Sequence, residues 1–340
     1  MTVLGWGVIG PGRIAPRIAR ALAASTRGRL VAAASRDIVR ARSYLDANGI
    51  RDGRAYGSYE ELLADPRVDV VYVALPNHLH AAWSVRALEA GKHVLCEKPL
   101  ALSVAEVDAI AAAAAAAGRL AVEAFMYLHH PQIRRAIELA TSGALGPLEL
   151  VRGSFSFVLT HPNDPRIDPA MGGGSLWDVG CYPVAFARRI AGAEPDRLTA
   201  EGRFDERGVD RTFAGQLHFP ARPAFPGGLL AQIDSSFAEP DRQSLEIVGQ
   251  GAVMRLSAPF LSAPDGPLPS LTIDRDGTAE TIEVPTVDQV AMEVEDLHAA
   301  ILRGSPPAID LAFSRGTIAT LVALDAAART AAGVAPLTPA

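Results

Sequence analysis

The feature that most constrains this chain is a glycine turn lodged between an apolar run and a helical stretch. Residues 3–9 are strand-like and run straight into Gly10-Pro11-Gly12-Arg13-Ile14-Ala15. The pattern Gly10-x-Gly12-x-x-Ala15 fits a dinucleotide-binding turn, with alanine in the last place. The first glycine permits the sharp turn, and the second lets a pyrophosphate approach the main chain. The small third residue lets helix and strand pack closely. A helix that opens there presents N–H donors to phosphate oxygens. Residues 10–14 are therefore the first cofactor-binding candidates.

Context gives the turn its weight, because glycines also serve ordinary loops. Residues 30–34, 68–75, 93–96 and 120–123 are further apolar runs, separated by helical stretches. Ser58 with Glu61 and Ser103 with Glu106 have the form of capping boxes, and Gly118 is placed to end the alanine-rich helix. Near-continuous apolar strands alternating with helices indicate a parallel sheet covered on both faces. Residues 1–122 are thus expected to form an α/β Rossmann dinucleotide-binding domain.

From residue 148 the period changes. Residues 148–157, 213–219 and 229–236 alternate, and 243–248, 252–256, 271–273 and 281–284 complete seven or eight short strands. Residues 123–340 are expected to form an α+β domain with a large, mostly antiparallel open sheet. Two domains suit 340 residues. One sheet face is expected to pack on the helix near Tyr182. The other, with only chain-end helices remaining, is expected to expose Leu, Val and Phe and to form a homodimer or homotetramer.

Composition narrows the classes. Hydrophobic residues make up 49% and charged residues 21%, a folded rather than a disordered profile. A net charge of −6 argues against an ordinary basic nucleic-acid binder. No secretory leader or apolar span of about 18 residues is evident, so no membrane partner is expected. Cys96 and Cys181 give no disulfide framework, which suits the cytoplasm. His129 and His130 are adjacent, and neither His-Glu-x-x-His nor paired Cys-x-x-Cys occurs, so no metal is expected.

The second apolar run ends in Ser35-Arg36-Asp37. An NAD site usually places an acid there, whereas a hydroxyl and a guanidinium suit a 2′-phosphate, so NADP is expected over NAD. Two further segments lie at carboxyl ends of parallel strands, where such sheets bind ligands. They are Leu75-Pro76-Asn77-His78-Leu79-His80 and Glu97-Lys98-Pro99. Asn77 also reads as an N-cap, with His80 in the helix's first turn. Asp178 and Tyr182, four apart, share a helical face; Pro183 sets the helix start near Val179, with Asp178 close to the N-cap.

With Glu123-Ala-Phe-Met-Tyr127, His129-His130-Pro131-Gln132 and the run from Gly172 through Asp178 to Tyr182, these motifs resemble the Gfo/Idh/MocA family. The likeness is strong to about residue 190, and Glu97-Lys98-Pro99 is its most specific element. It implies an NAD(P)-dependent oxidoreductase moving a hydride between the nicotinamide and a sugar or polyol carbon. Lys98 is then the catalytic lysine, beside a bond to Pro99 that is often cis in the family. Tyr182 stands where members carry a catalytic tyrosine or histidine, and Asp178 where substrate hydroxyls or the lysine are held. Leu75, Pro76, Asn77, His80 and Lys98 would touch the cofactor, Glu97 would orient Lys98 or meet the nicotinamide ribose, and His130, with Lys98, Asp178 and Tyr182, would meet substrate. Residues 178–182 and 231–237 look most like NADP-dependent D-xylose (aldose) and trans-dihydrodiol dehydrogenases. Residues 128–132 look more like nucleotide-sugar 3-ketoreductases, although Leu128 replaces the arginine of many relatives. A non-catalytic NADP-sensing regulator is the alternative of another class, and the retained Lys98, Asp178 and Tyr182 argue against it.

Overall fold

The computed structural model describes residues 2–260 and 269–336. The chain divides into two compact units, Met1–Met126 with Asp288–Ile318, and Tyr127–Val287 with Ala319–Ala340.

The first unit runs β1 (Leu4–Ile9), α1 (Ala15–Ala24), β2 (Gly28–Ala34), α2 (Ile38–Ala47), β3 (Arg54–Tyr56), α3 (Tyr59–Leu63), β4 (Val70–Val73), α4 (His80–Glu89), β5 (His93–Glu97), α5 (Val104–Ala117) and β6 (Ala121–Ala124). All six strands are parallel, in the order β3-β2-β1-β4-β5-β6. The order reverses between β1 and β4, which opens a crevice at their carboxyl ends. Each expected apolar run is a strand. β3 is the addition, a three-residue edge strand too short and too exposed to show an apolar period.

Local signals are realised with two exceptions, the Ser58 box, of which only the serine half forms, and Asn77. The Ser58 hydroxyl accepts from Glu61 N at 3.1 Å. Ser103 and Glu106 form the full reciprocal box, and Gly118 ends α5 at φ 60°. Asn77, expected as an N-cap, instead opens a one-turn 3-10 segment, Asn77–Leu79, behind an extended Pro76. The helix proper starts three residues later because that turn intervenes.

The second unit contains α6 (Pro131–Thr141), β7 (Leu148–Ser156), α7 (Cys181–Ala191), β8 (Arg197–Phe204), β9 (Asp210–Phe219), β10 (Leu229–Ser236), β11 (Arg242–Gly249), β12 (Val253–Leu256), β13 (Ser270–Arg275) and β14 (Thr278–Glu283). Its sheet order is β14-β13-β12-β11-β7-β10-β9-β8, antiparallel except for the β7–β10 pair. Two helices close the chain, α8 (Gln289–Arg303) and α9 (Leu311–Ala332). α8 packs on α1 in the first unit, where Trp6 Nε1 donates to His298 Nε2 at 3.0 Å.

The faces of the large sheet correct the expected apolar patch. A Cβ on Gly153 would lie 2.5 Å from Pro183 Cβ, so the face carrying Gly153 and Phe155 lies under α7. Gly202 and Gly215 approach Ala328 and Leu324, so α9 covers the same face at the other end. By strand alternation Phe213 and Phe219 also turn inward. The outer face is instead mainly ionic: Arg152 and Arg255 pair with Glu246, and Arg242 pairs with Asp234. What remains apolar there is a stripe in register, Leu230, Leu150, Val248 and Val253, with Leu230 50% exposed. A second expectation also changes. α9 is long and apolar enough to cross a membrane, with mean hydropathy 1.3 over 18 residues, 44% of them buried. Its packing on Gly202 and Gly215 accounts for that apolarity as sheet cover.

Candidate active site

In the first unit the glycine turn is built to receive something at its main chain. Gly10 has φ +73°, and a Cβ there would lie 2.5 Å from Leu75 Cδ2 and 3.0 Å from Ala74 O. Only glycine meets both demands without strain. A Cβ on Gly12 would meet nothing nearer than 3.8 Å, so the turn is open on that side. Pro11 is buried, Ile14 is half-buried and Arg13 is exposed. α1 begins after Ile14 with no side-chain cap bond; Ala15 N and Arg17 N turn back on Gly12 O and Ile14 O, and Pro16 has no N–H. These features fit a dinucleotide pyrophosphate.

At the end of β2, Ser35 is buried, and its hydroxyl accepts from Asp37 N at 3.4 Å. Asp37 caps α2 by accepting from Val39 N at 2.9 Å. One oxygen of its carboxylate is thus engaged at the start of the helix. Arg36 is exposed.

The loops after β4 and β5 are tied together. Leu75, Pro76 and Asn77 are half-buried. His80 is buried, with Nδ1 2.7 Å from Pro99 O and Nε2 2.7 Å from Leu75 O. Both ring nitrogens face carbonyls, so any contribution of His80 to cofactor binding passes through the loops it joins. Burial pulls its pKa down, while the two carbonyls favour the protonated ring. Lys98 is half-buried, its peptide to Pro99 is cis, and the Glu123 carboxylate accepts from Leu100 N at 2.9 Å. Glu97 accepts from the Tyr72 hydroxyl and, at 3.3 Å, from Lys98 N. Tyr72 was not singled out by sequence; its partner is 25 residues away on the neighbouring strand.

In the second unit Asp178 and Tyr182 follow one another across a helix junction. A π-helical turn, Leu176–Gly180, leads directly into α7, with Pro183 in its first turn. The helix begins at Cys181, and Asp178 lies inside the preceding turn rather than at an N-cap. Its Oδ2 pairs with Arg166 Nε at 2.9 Å. Arg166 also escaped the sequence reading, because it sits in a turn-rich loop without periodicity. Tyr182 is enclosed by Tyr127, Phe155 and Phe260, with ring centroids 5.2, 5.3 and 5.4 Å away. The Tyr127 hydroxyl donates to Tyr182 O at 2.8 Å. His130 is buried as the N-cap of α6, its Nδ1 accepting from Gln132 N at 3.2 Å. Burial lowers its pKa, which keeps the ring neutral.

The glycine run before Asp178 is anchored from below. Ser175 Oγ and Leu176 N donate to Asp210 Oδ2 at 2.6 and 2.8 Å. Gly174, at φ +140°, passes so close that a Cβ would lie 2.1 Å from Asp210 Oδ1. Among the described residues, no group of three or more His, Cys, Asp or Glu is arranged to hold a metal.

Comparison with known proteins identifies the family. Residues 4–125 match the model of an oxidoreductase family with an NAD-binding Rossmann fold, and residues 133–255 match the GFO/IDH/MocA C-terminal domain. The chain is 38% identical over 333 residues to D-xylose 1-dehydrogenase (NADP(+)) 2 of Haloferax volcanii, covering 97% of this chain and 98% of that one. A 3-ketoreductase from Actinomadura kijaniata, solved with NADP and TDP-benzene, superposes with a TM-score of 0.88 at 31% identity, covering 96% and 98%. An aldose-aldose oxidoreductase from Caulobacter crescentus, complexed with glycerol, superposes at 0.86 and 30% identity, covering 97% and 98%.

A Rossmann unit with an open glycine turn, followed by a large mostly antiparallel sheet, defines an NAD(P)-dependent oxidoreductase of two units. The chain belongs to the GFO/IDH/MocA oxidoreductase family.

Proposed function

We propose that the protein transfers a hydride between NADP and a sugar carbon, with an aldose of the D-xylose type as the favoured substrate. The observation that carries this is the His80 brace, which fixes the Lys98–Pro99 turn to the loop after β4. Both loops stand at the carboxyl edge of the sheet whose β1 turn is open for a pyrophosphate. Bound NADP supplies the hydride chemistry; the chain's task is to hold it and move one proton. Residues 10–14, Ser35, Arg36, Leu75, Pro76, Asn77 and Glu97 would hold the cofactor. Lys98 is assigned to the reacting hydroxyl, with Tyr182 as the second proton-carrying candidate. Asp178, oriented by Arg166, would accept hydrogen bonds from substrate hydroxyls, and His130 would line the substrate's surroundings. The relatives' names support a sugar-directed reaction: one is a D-xylose dehydrogenase and another a 3-ketoreductase.

Steady-state turnover against a panel of aldoses, diols and nucleotide keto-sugars tests the assignment. NADP reduction by xylose or glucose is expected. Activity confined to diols or keto-sugars would overturn the aldose reading, and no turnover with any of them would favour a sensing role. Arg36→Ala should weaken NADP binding about tenfold and leave NAD unchanged, as loss of one charge-assisted bond implies. Tenfold tighter binding of NAD than NADP by the unaltered protein would overturn the cofactor choice.

We further propose a cytoplasmic homo-oligomer, formed through the outer face of the large sheet. The support is the registered stripe of Leu230, Leu150, Val248 and Val253 beside the ionic rows. Cys96 and Cys181 are buried and stand outside any disulfide, as a reducing compartment favours. Light scattering should give a dimer or tetramer mass, and a monomer alone would sink the idea.

A further inference from the structure

The layer behind Lys98 contains a buried acid, Glu293, and a buried phenol, Tyr72, that the proposed reaction does not use. β1, β4 and β5 are in register, with Val8 beside Tyr72 and Tyr72 beside Leu95. Because strand side chains alternate, Trp6, Val8, Tyr72, Leu95 and Glu97 share one face of the sheet. α8 lies over that face, held by the Trp6–His298 bond. From α8, Glu293 enters the same layer. It is 2% exposed, and its Oε1 has no hydrogen-bond partner among the described residues.

A carboxylate without partners in such a place would be very costly, so the group is held in its neutral acid form. Glu97 is different. Its carboxylate receives the Tyr72 hydroxyl on one oxygen and the Lys98 amide N–H on the other, and both bonds favour the anion. Tyr72 from β4 and Glu293 from α8 both feel its charge; Tyr72 also feels Tyr44 from α2, Glu293 also feels Asp296 from α8, and Glu123 from β6 acts with Glu97 on Cys96. Glu97 raises the pKa of both Glu293 and Tyr72, on top of their burial. One negative charge in this layer therefore opposes the formation of a second.

We propose that Tyr72 and Glu293 are positioning residues for Lys98: Tyr72 fixes Glu97 as the anion beside the lysine, and Glu293, kept as the neutral acid, adds no second negative charge next to Glu97. This rests on the assignment of Lys98 to catalysis. It adds what sets the charge next to that lysine, and it identifies α8, from the far end of the chain, as part of the device.

The test uses the full-length protein and two conservative variants. In Tyr72→Phe, loss of the hydroxyl disfavours ionised Glu97. The acid limb of the kcat/KM profile should therefore move up by about one pH unit while NADP affinity, read by fluorescence titration, stays within about twofold. An unchanged pH profile would overturn the role of Tyr72. The infrared difference spectrum of the unaltered protein minus Glu293→Gln, recorded slightly above neutral pH, should contain the C=O stretch of a protonated carboxylic acid. Absence of that band overturns the proposal for Glu293 whatever Lys98 does. Retained turnover in Lys98→Met would instead overturn the catalytic reading and leave the infrared band in place, so the two failures are distinguishable.

Discussion

Replacing Lys98 by methionine should lower kcat about a thousandfold while NADP still binds. Methionine keeps the length and apolar stem of the side chain but removes its ammonium. A positioned acid or base contributes about 10²–10⁴ in rate, so loss of the group should fall in that range. The loss should appear in kcat rather than in cofactor affinity, because the open turn and the loop after β4 lie on other strands. The fold should survive, since Lys98 is half-buried and the bracing bonds of this turn come from His80, the Pro99 carbonyl and Glu123. Isothermal titration with NADP and single-turnover kinetics measure the two quantities separately. Normal turnover with normal cofactor binding would remove Lys98 from the mechanism.

Asp210 should make the stability of the second unit depend on pH between about 4 and 7. Burial raises its carboxyl from 3.8 to about 7, against the opposing bonds from Ser175 and Leu176 and the nearby Arg329. In that interval the folded protein binds a proton that the unfolded chain has released, so stability falls as pH rises. The contribution is complete below the unfolded value and gone once pH passes about 7. Its span is about 4 kcal/mol, large beside the 5–15 kcal/mol total of an ordinary domain. Asp210→Asn keeps an oxygen for Ser175 and Leu176 but cannot ionise. Thermal melting from pH 4 to 8 should show the unaltered protein losing stability relative to the variant. Parallel curves would overturn the assignment. The same residue anchors the glycine run leading to Asp178, so substrate KM should rise in step with the loss of stability.

The readable parts of this protein were those written in short spacings. The glycine turn, the five apolar runs, the Ser103 box and the Glu97-Lys98-Pro99 motif each depend on neighbours within a few residues. Such signals survive whatever the rest of the chain does. β3 failed to register because three half-exposed edge residues carry no period. Asn77 misled because a short 3-10 turn can stand where a helix cap was expected. The partners that orient the candidates lay too far along the chain: Arg166 for Asp178, Tyr72 for Glu97, and Asp210 for the glycine run.

The outer sheet face is the instructive miss. Alternation along β7 and β10 separates Arg152, Ser154, Gln232 and Asp234 from Val151, Phe155, Ala231 and Ile233. Periodicity alone cannot say which set lies under a helix. α7 and α9 both dock on the Phe155 side, which buries the aromatic residues and leaves the charged rows outside. The amino-acid sequence by itself determined the strand–helix alternation, the glycine turn and the identity of the candidate lysine, because those follow from local backbone and side-chain preferences. Only the tertiary structure decided which sheet face is covered, that α8 returns to the first unit, and that Glu293 shares a buried layer with Glu97. Those outcomes depend on long-range packing, where apolar burial and the cost of an unpaired buried charge are settled between segments far apart in the chain.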